Sequence, residues 1–374
     1  MANTLAEVIP QILAQGLMAL RENVVMPALV NSDYSEEAKE KGNSVDVPIP
    51  SAIAAQDVSP AATPPVTADI APTTVSVPLD QWKEAPFYLS DKDLKEAVNG
   101  VIPMQASEAV KSIANAVNAH IMAQYKGIYG FYGTPGTTPF GSGTTDATQV
   151  RKILNQQLAP LQDRRLVFDT EAEANALDLR AFQDMSFSGD AAAIRDGKIN
   201  RKLGFDWFMD QDIPVHTAGG ATGYLVNDAA VVTGVKSVSV DTGAGVPVTG
   251  DIFTVAGDSQ TYTITGVTGA GPITAMTFEP AIQVAWADNA AITFKDSHTV
   301  NLAFHRDAFA FASRPLLDLQ SQGLGSIIQS ATDPVSGLTM RLELTREHKR
   351  YRWSFDMLYG AALARRELAA RLAG

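Results

Sequence analysis

Between residues 219 and 294 the composition of the chain changes and then changes back, and this interruption constrains the fold more than any other feature. Eleven of the 28 glycines fall between Gly219 and Gly271. From Gly219 to Asp296 two cations, Lys236 and Lys295, face seven acids, Asp228, Asp241, Asp251, Asp258, Glu279, Asp288 and Asp296, a net charge of −5. Short β-branched runs at 235–240, 251–255, 262–265, 273–278 and 291–294 alternate with turn residues. That spacing predicts an all-β module, with Asp241, Asp251, Asp258 and Asp288 as its acidic surface. The flanking sequence is helical and mixed. A β-module planted within another domain, and carrying no catalytic residues, points to a surface being built rather than a reaction being run.

The 374 residues allow two or three domains at about 150 residues each, and 45% hydrophobic against 19% charged residues suits a globular chain with a sizeable core. A net charge of −12 argues against autonomous nucleic-acid binding, which needs a basic stripe. With no cysteine, disulfides, thiolate zinc sites and cysteine nucleophiles are excluded. No apolar run approaches the ~18 residues of a membrane span, and the first residues lack the basic and apolar regions of a signal peptide. The expectation is a chain made and used in a cytosol, with no membrane partner.

Along the chain, Leu5, Val8, Ile9, Ile12, Leu13, Leu17 and Leu20 carry a helical pattern over 4–20, with Pro10 kinking it or marking its start. A polar arm covers 31–43. Residues 45–49 and 73–79 each alternate as strands do, around a tip containing Pro60, Pro64, Pro65 and Pro72. These predict a long two-stranded arm, against the alternative of a disordered linker. An isolated hairpin is marginal in water and needs a surface to pack on, and its prolines block edge pairing. Val45, Val47, Ile49, Val75, Val77, Leu79 and Trp82 are therefore the expected inter-subunit contacts.

Residues 90–93 read as a capping box. Asp91, Asp93 and Glu96 do not form a calcium loop, because Glu96 stands where the turn glycine belongs. The longest helical signal runs over 103–126, with Val110, Ile113, Val117, Ile121 and Tyr125 in one stripe and His120 beside it as a packing residue. Further helices are predicted at 146–158 and 170–179, a buried strand at 165–168, apolar strands at 299–304 and 307–312, and a hairpin at 338–345 and 349–356. The alanine-rich stretch 361–372 predicts a closing helix. From Arg341 onward eight Arg and Lys face four acids, opposite in sign to the insert, so the two are expected to attract one another over a Debye length of about 10 Å at 0.1 M salt.

The five histidines, His120, His216, His298, His305 and His348, form no His-Glu-x-x-His helix, and neither a Gly-x-Ser-x-Gly elbow nor a Walker loop occurs. Gly243-Ala-Gly245 and Gly323-Leu-Gly325 lack the third glycine of a dinucleotide fingerprint. His305-Arg306-Asp307 mimics a kinase catalytic loop, but Ala312 stands where its metal-holding Asn belongs. No catalytic constellation, cofactor site or metal site emerges, and the chain reads as a non-enzyme.

In order, these parts resemble the major capsid proteins of tailed bacteriophages with the Hong Kong 97 fold, and more narrowly the coat proteins of short-tailed phages with an inserted β-domain. The narrower resemblance lies in Gly250-Asp-Ile-Phe-Thr-Val-Ala-Gly257 and Met276-Thr-Phe-Glu-Pro-Ala-Ile282; outside the insert it lies in Phe304-His-Arg-Asp-Ala-Phe-Ala-Phe-Ala-Ser-Arg-Pro-Leu316 and the C-terminus. It implies an α+β fold divided into an N-terminal helix and arm (1–44), an extended loop (45–89), a peripheral domain with a spine helix (90–145), an axial domain (146–218 and 298–335), the inserted β-domain (219–297) and returning peripheral strands with a C-terminal helix (336–374). It also implies self-assembly as hexamers and pentamers into an icosahedral head in the host cytoplasm. The implied partners are copies of itself, a separate scaffolding protein, a portal, and double-stranded DNA held without sequence-specific contacts, which Arg365, Arg366 and Arg371 could touch. No Lys–Asn crosslinking pair can be assigned. Two alternatives stay open: an encapsulin-like nanocompartment with protein cargo, separated by its contents, and a tail or adhesion protein whose β-module binds carbohydrate, separated by glycan binding.

Overall fold

Three sheets, a hairpin and one long helix carry the chain. The computed structural model describes residues 12–13, 16, 25–33, 44–50, 53, 55, 60, 72–90, 101–184, 195–229, 231–314, 316, 327–332 and 338–374. Most of the helix expected over 4–20, the polar arm beyond Asp33, most of the arm's tip and the capping box after Ser90 lie outside the described residues.

The helices are α1 (Met26–Leu29), α2 (Val101–Met122), α3 (Thr145–Gln156), α4 (Thr170–Asp178) and α5 (Arg180–Gln183). The strands before the insert are β1 (Ser44–Ile49), β2 (Thr73–Pro78), β3 (Gln81–Ser90), β4 (Gly130–Tyr132), β5 (Arg164–Phe168), β6 (Asp206–Met209) and β7 (Val215–His216). The insert supplies β8 (Leu225–Val226), β9 (Ser237–Asp241), β10 (Ile252–Val255), β11 (Tyr262–Thr268), β12 (Ala275–Glu279) and β13 (Ile292–Phe294). The chain closes with β14 (His298–His305), β15 (Phe309–Arg314), β16 (Ile327–Thr332), β17 (Thr339–Glu347), β18 (Arg350–Leu363) and β19 (Ala369–Ala373).

One sheet runs β15-β18-β17-β16, with β3 along the free side of β18. Alternation divides its faces. Met340, Leu342, Leu344, Trp353, Phe355, Met357 and Tyr359 are buried in a core shared with α2. That helix presents Val110, Ile113, Ala114, Val117 and Ile121, all buried, at the spacing expected of one helical face; its 22 residues span about 33 Å. His120 packs edge-on to Tyr359, ring centroids 5.7 Å apart, and burial lowers its pKa. The side chain of Asn118 ties two other elements to the helix, accepting from Met26 N at 3.2 Å and donating to Asp210 Oδ2 at 2.7 Å.

A second sheet runs β4-β19-β14-β5-β6, with α3 packed near β4 and β19. Its pairs are antiparallel except β19–β4 and β5–β6. Here the sequence expectation fails: 361–372 is not a helix but the end of β18, a short 3-10 turn at Arg366–Leu368, and β19. Ala, Leu, Arg and Glu favour helix intrinsically. The slot between β14 and β4 overrides that preference, because a strand of small side chains buries both faces and satisfies its backbone on both sides.

No strand is predicted over β3; it tolerates Pro86 because it lies at an edge, where a missing N–H costs no ladder bond. The insert forms its own sheet, β13-β10-β11-β12-β9-β8; β9 to β13 fall on the five runs that the sequence marks, and the two-residue β8 falls on none of them.

Candidate assembly surfaces and the insert joint

The arm is the first surface. β1 and β2 pair antiparallel with Val45 opposite Val77 and Val47 opposite Val75, so one face of the hairpin is apolar. Val45, Val47, Val77 and Leu79 are buried against Ala310, Ala312 and Ala364 of the same chain, with Ala362 alongside. These alanines occupy the sheet face opposite the core, and Gly360 completes the row: a Cβ there would sit 1.9 Å from Pro78 O. A shelf of small residues thus receives the base of the arm. Val45, Val47, Val77 and Leu79, expected as inter-subunit contacts, are thus covered within the chain by their own sheet. Ile49 and Val75 are only half-buried, and Ile53 is 70% exposed. The cover over the apolar row therefore thins at Ile49 and Val75.

Trp82 is the second. It is 62% exposed, yet its Nε1 donates to Asp356 Oδ2 at 3.0 Å. Asp356 is fixed in turn by Arg341 Nε at 2.9 Å. Burial works against the Arg341 charge, but the hydrogen bond and the charges of Asp356, Glu343 and Glu84 outweigh it and raise the pKa. Glu84 accepts from Ser354 Oγ at 2.5 Å and pairs with Arg352, and Arg350 lies over the Tyr88 ring. This face of β3 and β18 is a lattice of ion pairs that presents Trp82 and Tyr88. An aromatic side chain held in place and facing water is the kind of group that anchors interfaces at low entropy cost.

The third feature is the joint that carries the insert. Its ingoing strand β7 and outgoing strand β14 pair with His216 opposite His298. His216, buried, meets Asp251 Oδ1 through Nε2 at 2.7 Å and Tyr125 OH through Nδ1 at 3.0 Å. Asp251 Oδ2 accepts from Val248 N at 2.9 Å and Gly219 N at 3.2 Å. Arg371, fully buried on β19, donates to Gly250 O at 2.8 Å and to Lys126 O and Thr263 Oγ1 at 3.2 Å each, over the Tyr125 ring. Burial lowers the Arg371 pKa to about 9, still protonated at neutral pH. Burial also lowers that of His298 to about 4, with Arg371 and His216 acting in the same direction, and raises that of Tyr125. A charge buried with paired partners resists being pulled apart, because either partner left alone is strongly destabilising. The arrangement fixes the insert in one orientation on the second sheet.

Asp251 is thus not on the acidic surface expected of it. Asp258 is half-buried and structural, accepting from Tyr262 OH at 2.6 Å and Trp286 Nε1 at 3.0 Å, whereas Asp288 is exposed and Asp241 intermediate. The attraction between insert and C-terminal segment takes the form of Arg371 and of Arg366, 3.4 Å from Glu279. Arg371 cannot touch DNA, being buried. The joint residues His216, Tyr125 and Arg371 escape a motif search, although two signals mark them: two histidines bracket the insert, and one arginine interrupts an otherwise apolar Ala369–Ala373.

Among the described residues no cluster of three or more His, Asp or Glu is placed to hold a metal ion, and no helix is long and apolar enough to cross a membrane. No family model matches the sequence, and no curated protein matches it. Solved structures do. One from Mycobacterium phage Che8 is 16% identical over 93% of this chain and 90% of that chain, with a TM-score of 0.53. The capsid structure of the cyanophage P-SCSP1u is 13% identical over 89% and 84%, with a TM-score of 0.50. A virus-like particle from Pyrococcus furiosus is 8% identical over 97% and 98%, with a TM-score of 0.46. With its hairpin arm, long helix and two-sheet scaffold, this chain has the α+β fold of tailed-phage major capsid proteins, the Hong Kong 97-like fold that its sequence resembles.

Proposed function

We propose that the chain is the major capsid protein of a tailed bacteriophage, of the short-tailed-phage type with an inserted β-domain. It assembles as hexamers and pentamers into an icosahedral head around double-stranded DNA. The observation that carries this reading is the likeness to a cyanophage capsid structure along 89% of this chain and 84% of that one. The arm supports it: an apolar row whose cover thins from buried Val77 to half-buried Val75 and Ile49 has a place to go in a shell of identical subunits. Contacts that repeat by rotation close into rings. The net charge of −12 suits a container that does not grip its genome. The role is structural rather than enzymatic. A separate scaffolding protein and a portal are its partners during assembly in the host cytoplasm, and the virion is its final location.

Electron microscopy of the purified chain tests this. Closed shells or ring-shaped capsomers are expected, and monomers alone, even with a scaffolding partner co-produced, would overturn the reading. Replacing residues 53–71 by a short Gly-Ser turn is expected to leave a folded, soluble chain that forms no shells; unchanged shells would remove the arm from the assembly mechanism. Shells holding protein rather than DNA would point to a nanocompartment.

A further inference from the structure

The two strands that carry the insert meet at a pair of facing histidines. β7 and β14 pair over His298↔His216 and Thr299↔Val215, and the two rings, both buried, stand 5.3 Å apart. They are held differently. His216 is satisfied at both nitrogens, by Asp251 and by Tyr125. His298 Nδ1 lies 2.8 Å from Asp296 O; a carbonyl only accepts, so Nδ1 carries the proton and Nε2 is the basic nitrogen. That Nε2 is buried and has no hydrogen-bond partner among the described residues.

A second proton on His298 would sit on Nε2 with no acceptor to receive it. The groups around the ring do not supply one. Arg371 on β19 is a cation and His216 on β7 a second imidazole, both acting against the charge. Phe131 on β4 stands edge-on at 5.1 Å, and the Tyr125 hydroxyl is engaged with His216. Asp251 is the carboxylate that favours the charged form, but its oxygens are already taken by His216 Nε2, Val248 N and Gly219 N. A protonated His298 is therefore better served by water than by its seat.

Water lies on both sides of the seam. The insert meets the second sheet along a ridge, with Thr261 on Tyr129 O, Thr263 on Lys126 O, and Ile252 against Phe131 and Ala373. A cleft of about 620 Å³ that includes Gln156, Gln260 and Gln283 flanks the ridge, as does one of about 480 Å³ that includes Thr134, Thr254 and Lys295. No histidine lies between residues 217 and 297, so the core of the insert has none to protonate.

We propose that the joint is an acid-released latch: a proton on His298 Nε2 parts β7 from β14 and frees the insert from the second sheet as a domain that stays folded. The seated imidazole has a pKa of about 4 and a released one the ordinary 6.5, so protonation biases the balance toward release by up to about 300-fold. The bias is nearly absent at pH 7, grows as the pH falls through 6.5, and reaches roughly half its limit at pH 4.

The absence of cysteine gives a clean test in the full-length chain. Spin labels on Gln156→Cys with Gln283→Cys, both exposed, span the seam. Labels on Ser237→Cys with Ala256→Cys, also exposed and on strands three apart in the sheet order, span the insert alone. From pH 7 to pH 4 the seam distance is expected to pass from one narrow distribution to a longer, broad one and to return on neutralisation, while the insert distance holds. A seam distance unchanged down to pH 4 would overturn the latch. Both distances broadening together would overturn it too, by showing that the insert unfolds with its joint. His298→Gln, or His298→Phe if glutamine already opens the seam at pH 7, is expected to keep the seam closed at pH 4; a seam that still opens would assign the trigger to another group, such as Asp251, and overturn the role of His298. The measurement reads a single chain, so it stands whether or not shells form.

Discussion

The insert leaves the scaffold through β7 and β14 and gathers a core of its own, in which Phe253 is ringed by Tyr262, Phe278, Trp286 and Phe294 at centroid distances of 5.5 to 6.4 Å. The arm leaves through β1 and β2 and has no core, only one apolar face laid on the alanine shelf of the outer sheet. Both are excursions from one scaffold. A segment folded back into a closed sheet can satisfy itself and needs only a joint, whereas a two-stranded ribbon depends on whatever surface lies beneath it. The insert is therefore fixed by a buried polar cluster and the arm by apolar contact, and the two should fail under different perturbations.

The largest expected effect separates the cores. Phe253→Ala removes the centre of the insert cluster and should cost about 3–5 kcal/mol. Hydrogen exchange is the measurement: amides of β9–β13 should lose protection while those of β17 and β18 keep theirs. Loss of protection throughout the chain would mean that the insert core is not separate from the scaffold.

That contrast was partly visible in the sequence. The insert strands were legible because β-branched runs and glycine turns act locally, and the 3.6-residue stripe of α2 was legible for the same reason. What was not legible depends on distant partners. Ala369–Ala373 became a strand because β14 and β4 leave a slot for it, against its own helical preference. The hairpin residues were legible as a pair of strands, but their seat was not, since Ala310, Ala312, Gly360 and Ala364 announce nothing until β15 and β18 lie side by side. Asp251 looked like one more surface acid, and only the pairing of β7 with β14 brings His216 to it.

Acid should distinguish the joint from the arm. The folded-state pKa of His298 is depressed from 6.5 to about 4, chiefly by burial, so the unfolded chain binds the proton more readily. Its contribution is complete above pH 6.5 and is lost as the pH falls toward 4, on the order of 3 kcal/mol. The arm's seat of Val45, Val47, Val77, Leu79, Ala310, Ala312 and Ala364 contains no titratable group. Between pH 7 and 4, exchange at β7 and in the insert strands should rise while the amides of β1 and β2 stay protected. His298→Gln should flatten the pH dependence of the denaturation midpoint; an unchanged slope would assign acid sensitivity to other groups.

The smallest effect probes the arm alone. Val77 is wholly buried on the shelf, and its pair partner across the hairpin is Val45. Val77→Ala removes two methyl groups from that contact, which is worth about 1.5 kcal/mol at roughly 0.8 kcal/mol per buried carbon. Val75, two residues along the same face, is only half-buried, so Val75→Ala should cost less than half as much in the isolated chain. Because the loss at Val77 falls on a ribbon with no core, it should appear as faster exchange and faster proteolysis of β1 and β2, with little change in the global midpoint. The order should reverse on assembly if the thinly covered end of the apolar row is used by a neighbour: Val75→Ala would then weaken shells more than Val77→Ala weakens them. Equal effects of the two substitutions in the isolated chain would show that the arm is not seated on the shelf, and the contrast drawn with the self-sufficient insert would fall.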